Sequence, residues 1–116
     1  MKVYGLKSCD TCRRALKDLR AAHPDLQVVD IRADGLELTD IERIVDAVGW
    51  EQALNRRSTT WRGLDAPDKQ DLDTAKAIAL IAAHPTLLKR PAVTDGQRVT
   101  VGWTDDAKRS WLGDTA

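Results

Sequence analysis

The sequence predicts an α/β fold: a mixed sheet of about four strands, ordered β-α-β, then an all-helical segment, then β-β-α. Three observations predict it. A strand–helix–strand unit fills the first thirty residues, helical periodicity dominates about residues 35–88, and a hairpin signal followed by a terminal helix closes the chain.

Val3, Tyr4, Gly5 and Leu6 form a short apolar run that stops at polar Lys7-Ser8, the mark of a buried first strand. From Asp10 to Ala22, the apolar residues Ala15, Leu16 and Leu19 recur at helical spacing. Arg13, Arg14, Lys17, Asp18 and Arg20 fill the other face, and His23-Pro24 ends the element. Leu26 to Ile31 reads as a second apolar strand, and a unit of this kind gives a right-handed parallel pair. Thr39-Asp40-Ile41-Glu42 has the form of a capping box, opening a helix with the stripe Ile41, Ile44, Val45 and Val48 that Gly49 closes. Trp50 to Leu54 adds another turn or two, Arg56 to Arg62 reads as polar and irregular, and Pro67 fits the first position of a short helix. Asp73 to Ala83 is helical through Ala75, Ile78, Ala79 and Ala82, until His84-Pro85 stops it. Ala92-Val93-Thr94 and Val99-Thr100-Val101 flank a turn containing Asp95-Gly96, and Thr104 to Leu112 is a terminal helix capped by Thr104 or Asp105.

A length of 116 residues implies a single domain over residues 1–116. With 42% hydrophobic residues and 31% charged, the disordered and fibrous classes are excluded. The 18 basic and 18 acidic residues cancel, so bulk charge draws the chain to neither nucleic acid nor an anionic membrane, and any anion site must be a local arginine cluster. No run approaches the roughly 18 apolar residues of a membrane span, and Met1 to Gly5 reads as folded structure, so a cytoplasmic location is expected.

The two cysteines, Cys9 and Cys12, are too few for a disulfide scaffold, and in a reducing compartment such a pair is catalytic or metal-binding more often than structural. Cys9 falls at a helix N-terminus, where unpaired N–H groups and the helix dipole lower a thiol pKa. Ser8 offers a hydroxyl beside it, and Lys7 and Arg13 offer positive charge, so Cys9 is expected to be the more acidic and more exposed thiol. Cys12 lies three residues on, along the same helix face. It reads either as a resolving thiol within disulfide reach or as a small buried apolar residue. Cys9, Cys12, His23 and His84 could supply four zinc ligands, but the histidines lack ligand spacing and each His-Pro reads as a helix stop, its imidazole a surface or interface filler. No metal site is expected.

Three segments carry a family resemblance: Tyr4-Gly5-Leu6-Lys7-Ser8-Cys9-Asp10-Thr11, then Trp50-Glu51 with Leu54 to Leu64, then Leu88-Lys89-Arg90-Pro91. In this order and spacing they resemble the arsenate reductase (ArsC) and Spx family, most closely its YffB branch, over nearly the whole chain. The resemblance implies a thioredoxin-like fold with a helical insertion and Cys9 as the catalytic thiol. It also implies that Pro91 is a cis-proline beside that thiol and that Arg90 binds an oxyanion, for which a guanidinium fork is suited. Arg57, or less strongly Arg56, matches the family's arginine in the insertion.

The chain departs from arsenate reductases of the glutathione/glutaredoxin type at two places. Gly102-Trp103 stands where they carry a further arginine, and they lack the second cysteine. The implied function is therefore a glutathione-dependent thiol oxidoreductase, with glutathione as co-substrate, no tightly bound cofactor, and glutaredoxin as a further partner. The alternatives are arsenate reduction and a redox-sensing regulator that binds RNA polymerase, since Spx proteins have a Cys-x-x-Cys here. Direct contact with nucleic acid or membrane is not expected, and a monomer is.

Overall fold

The computed structural model describes residues 1–113. Strand β1 (Lys2–Gly5), helix α1 (Asp10–Ala22) and strand β2 (Gln27–Asp30) form the opening unit, and β2 pairs parallel to β1 with Val3 opposite Val28. Strands β3 (Ala92–Thr94) and β4 (Val99–Val101) form the hairpin; β3 runs antiparallel to β1, giving the order β2-β1-β3-β4. Between β2 and β3 lie α2 (Leu38–Val48), α3 (Trp50–Ala53), α4 (Thr59–Arg62) and α5 (Thr74–Ala83), with 3₁₀ turns at Ala66–Lys69 and Pro85–Leu87. Helix α6 (Asp105–Leu112) follows the hairpin, so the mixed α/β order expected from the sequence is the order observed.

Alternation along the strands divides the core into two layers. Tyr4 and Ala92 face the insertion, packing with Ile41, Ile44 and Val45 of α2 and Ile81 of α5. Val3 and Val93 face the other way, against Ala15 and Leu19 of α1 and Trp111 of α6. Among the described residues no helix is long and apolar enough to cross a membrane.

Local readings are corrected at three places. Helix α2 starts at Leu38 behind Glu37, so Thr39 is already helical and the capping box does not form. Its first turn is fixed instead by Ile41 in the core and by Asp40, which faces the buried Tyr4 hydroxyl. Burial, reinforced by Asp40, pushes that phenol up to about 12. The stretch Arg56 to Arg62 is not irregular throughout: Ser58 caps α4, its Oγ accepting from the Trp61 N–H at 3.1 Å, and the Thr60 and Thr86 hydroxyls bond at 2.7 Å. Strand β2 is shorter than expected and is an edge strand, which leaves Val28 41% exposed. Of the two readings of His23 it is the interface one that holds, with a specific contact: its Nε2 lies 2.8 Å from the Trp111 carbonyl oxygen and ties the end of α1 to α6.

Helix α1 lies on the sheet closely enough that a Cβ at Gly5 would stand 2.9 Å from the Cys12 Sγ. Gly5→Ala should therefore destabilise the fold by about 1–3 kcal/mol, the usual cost of overpacking. Cys12→Ala in the same chain should recover most of that loss, because it removes the opposing sulfur. Urea unfolding of the two single variants and the double variant measures the coupling, and additive losses would show that the contact is not what limits the approach.

Candidate functional site

The site forms where β1 hands the chain to α1. After Gly5 the backbone turns through Leu6, Lys7 and Ser8, the Cys9 N–H donates to the Leu6 carbonyl at 3.1 Å, and Cys9 becomes the N-cap of α1. Its φ of −89° and ψ of 116° are extended, so its carbonyl receives the first helical bond from the Arg13 N–H at 3.0 Å while its side chain faces the open helix end. The Cys12 N–H is directed at the Cys9 sulfur without closing a full capping hydrogen bond. Both cysteines are free thiols; Cys9 is half-buried and Cys12 is 1% exposed.

The two thiols are driven apart. Burial raises Cys9, but the Cys12 N–H, the Cys12 thiol and the Arg90 guanidinium outweigh it and hold Cys9 below the ordinary thiol value. For Cys12, burial dominates and the neighbouring Cys9 thiolate adds to it, pushing it up to about 11. Cys9 is therefore the more readily ionised of the two thiols, and Cys12 the one that holds its proton.

Arg90 reaches this site from the insertion. The segment Ala53–Asn55 is laced to Leu87–Lys89 by an antiparallel bridge between Leu54 and Leu88, by Lys89 N–H to the Ala53 carbonyl at 2.8 Å and by Asn55 N–H to the Leu87 carbonyl at 2.7 Å. Arg90 then donates from Nη1 to the Thr86 carbonyl at 2.7 Å, while its Nε is buried with no hydrogen-bond partner. The guanidinium thus holds both an anchor and an unused donor. The Arg90–Pro91 peptide is cis, and the buried Pro91 leads into β3, whose start lies beside the C-terminal end of β1.

The remaining expected residues are placed differently. Arg13 is exposed and pairs with Asp10, and Lys7 is exposed and faces Asp30, so neither supplies the charge acting on Cys9. Ser8 is exposed and makes no hydrogen bond among the described residues. Arg56 stacks its guanidinium 5.9 Å from the Trp50 ring centroid. Arg57 is exposed on the loop before α4, where its N–H donates to the Asn55 Oδ1 at 3.1 Å, and it is not among the groups that shift Cys9. Two contributors were not legible as site residues. Thr86 acts through its carbonyl, which no side-chain pattern announces; Gly5 acts through the Cβ it lacks, and its place in the first strand was the only available signal.

The ArsC family model matches residues 4–110. The chain belongs to the ArsC family. It is 39% identical over 103 residues to an uncharacterized protein of Haemophilus influenzae, covering 89% of this chain and 90% of that protein. It is 30% identical over 112 residues to the global transcriptional regulator Spx of Lactiplantibacillus plantarum, covering 95% and 84%. Among solved structures, YffB (PA3664) superposes with a TM-score of 0.88 at 39% identity, over 96% of this chain and 97% of that one. An arsenate reductase (ArsC) related protein from Brucella melitensis gives 0.71 at 32% identity, over 96% and 92%. These matches agree with the thioredoxin-like architecture of the sheet and its flanking helices.

In this ArsC-family chain Cys9 should alkylate with iodoacetamide well before Cys12, with a pH midpoint below the ordinary thiol value of about 8.5. Arg90→Gln removes a cation that stabilises the thiolate, so the midpoint should rise and the rate at neutral pH should fall. Mass mapping across a pH series reads both effects; label appearing first on Cys12 would reverse the assignment.

Proposed function

We propose that this ArsC-family protein is a thiol–disulfide oxidoreductase that uses glutathione as co-substrate, with Cys9 as nucleophile. The observation that carries the reading is the half-buried Cys9 with its pKa held down beside Arg90 and a buried, proton-retaining Cys12. The Cys9 thiolate attacks one sulfur of a substrate disulfide, forming a mixed disulfide and releasing the other sulfur as a thiolate, which takes up a proton from solvent. Either a glutathione thiolate or Cys12 then attacks the mixed disulfide. The first releases the second substrate thiol and leaves glutathione on Cys9, or leaves a free Cys9 when it attacks the substrate sulfur; the second closes a Cys9–Cys12 disulfide that two glutathiones reduce.

Arg90, whose guanidinium lies beside the Cys9 sulfur, is assigned a carboxylate of glutathione or of the substrate. Arg57 is assigned the far end of the same anionic ligand, because the lacing of Ala53–Asn55 to Leu87–Lys89 carries its loop alongside the Arg90 segment. Glutaredoxin fits as the protein that removes glutathione from Cys9.

A second reading has its own support. The Spx relatives are named global transcriptional regulators, and a Cys-x-x-Cys pair could switch a surface that contacts RNA polymerase. Under that reading the disulfide forms without multiple turnover, and retention of the protein on immobilised RNA polymerase changes with its redox state. Arsenate reduction is a weaker third reading. Gly102-Trp103 brings no guanidinium, and Trp103 is packed against the layer formed by α1 and α6.

Turnover of a small mixed disulfide with glutathione should depend on Cys9 and fall about tenfold or more in Arg90→Ala, the worth of one charge-assisted hydrogen bond. A Cys9→Ser variant with undiminished turnover would end the enzymatic reading. With arsenate as oxidant the rate should be weak, and robust turnover would contradict the argument from the missing guanidinium. After treatment with diamide in the presence of glutathione the intact mass should fall by two hydrogens. A stable glutathione adduct of equal yield on the wild type and on Cys12→Ser would remove Cys12 from the reaction.

A further inference from the structure

On the α1 side of the sheet, away from the insertion, a groove of about 550 Å³ lies between α1 and edge strand β2. Its floor is apolar, formed by Val3, Gly5, Leu16 and Val28, with Cys12 in its wall. One rim belongs to α1 and carries Arg13 and Arg20, seven residues apart and thus two turns along one helix face. The opposite rim belongs to the end of β2 and the following turn, and carries Asp30 and Asp34; Lys7, from the turn after β1, also lines the groove and faces Asp30. Arg20 makes no ion pair or side-chain hydrogen bond among the described residues. Asp34 uses only Oδ2, which accepts from the Asp30 N–H at 3.0 Å, so its Oδ1 stays open. With Arg13 paired to Asp10 and Lys7 facing Asp30, the charges left without a partner among the described residues are the Arg20 guanidinium and the open oxygen of Asp34, with hydrocarbon beneath.

We propose that this groove binds a short zwitterionic peptide with apolar side chains, its amino group at Asp34 and its carboxylate at Arg20. The volume falls within the range of small-ligand sites, about 300–1,000 Å³. An amphiphilic anion is disfavoured because it could pair with Arg20 but would leave the open Asp34 carboxylate oxygen without a cationic partner beside its hydrocarbon tail. A longer strand added to the β2 edge is disfavoured by the backbone. The Gln27 and Ile31 N–H groups bond Met1 and Gly5 carbonyls on the β1 side, so Val28 and Asp30 present their backbone groups outward. Asp34 already occupies both of these groups at Asp30: its Oδ2 takes the N–H, and its own N–H donates to the Asp30 carbonyl at 2.8 Å. Val28 alone remains outward-facing, and one residue does not hold a strand. The proposal does not rest on the redox reading, since Arg20 and Asp34, which hold the ligand's two charges, take no part in it.

Titration of the isotope-labelled chain with the dipeptide Leu-Val, followed by amide chemical shifts, tests the proposal. Saturable shifts should centre on Gly5, Leu16 and Val28. N-acetyl-Leu-Val, Leu-Val-amide and octanoate should each bind about tenfold or more weakly, since each loses a charge-assisted contact. Arg20→Glu, an exposed change, should weaken the free dipeptide by a similar factor and leave the cationic amide bound at least as tightly as before. Octanoate or a capped peptide binding as tightly would overturn the zwitterionic ligand. Shifts centred elsewhere, or none at the solubility limit of the dipeptide, would overturn the site.

Discussion

The approach of the Cys12 sulfur to Gly5 sets the distance between α1 and the sheet, and the rest of the site depends on it. Cys12, Ala15 and Leu19 follow one another along the helix face that meets β1 and β3, and all three are buried. With a small residue at each of the first two contacts, the helix lies flat on the strand and its N-terminus ends beside the C-terminal edge of β1. That placement presents Cys9 at the mouth of the helix rather than under it. It also brings Cys9 to the end of the sheet where β3 begins, so Arg90, one residue before Pro91, can face the sulfur. A larger residue at Gly5 would lift the helix, and every downstream distance would change.

Magnitudes decide what lowers the Cys9 pKa. A helix N-terminus contributes about 0.3–1 kcal/mol at a partly exposed position, and one pKa unit is about 1.4 kcal/mol. Burial of the thiol works in the opposite direction and is the largest single cause, so no one lowering contact offsets it by itself. Exposed charges such as Lys7 and Arg13 add little, being screened by water and engaged with Asp30 and Asp10. The deciding contribution is directed: an N–H, a thiol and a guanidinium all aimed at one sulfur. The insertion therefore supplies chemistry as well as bulk, because its lacing to Leu87–Lys89 is what holds the Arg90 segment in place.

The fold was legible because its signals are collective. The periodicity of Ala15 and Leu19, the stripe Ile41, Ile44 and Val45, and the Asp95-Gly96 turn each repeat a preference over several residues, and tertiary packing agreed with them. Local details decided by a single competing contact were less legible. The start of α2 follows Ile41 in the core and Asp40 beside Tyr4, not the Thr39 hydroxyl, and Ser58 was hidden as a cap by the charged residues around it. Proximity in sequence also misled where charge was concerned. Lys7 and Arg13 are neighbours of Cys9 in the chain, yet the cation that reaches its sulfur comes from Arg90, more than eighty residues away.

The coupling between the thiols gives the proposed reaction a direction. While Cys9 is a thiolate, its charge helps keep the proton on Cys12, so the buried sulfur stays unreactive and cannot compete for the substrate. Once Cys9 is bonded in a mixed disulfide that charge is gone, and the part of the Cys12 shift that came from it disappears. Burial remains, and it was the larger cause, so Cys12 becomes more acidic without becoming a ready thiolate. Glutathione in solution carries no such burden. The balance between the proposed routes therefore turns on proximity against desolvation: Cys12 is already beside the Cys9 sulfur, whereas in the proposed reaction glutathione is first held at Arg90. A substrate that occupies Arg90 with its own carboxylate excludes glutathione from that position and favours closure by Cys12; one without an anionic group leaves the guanidinium open and favours glutathione.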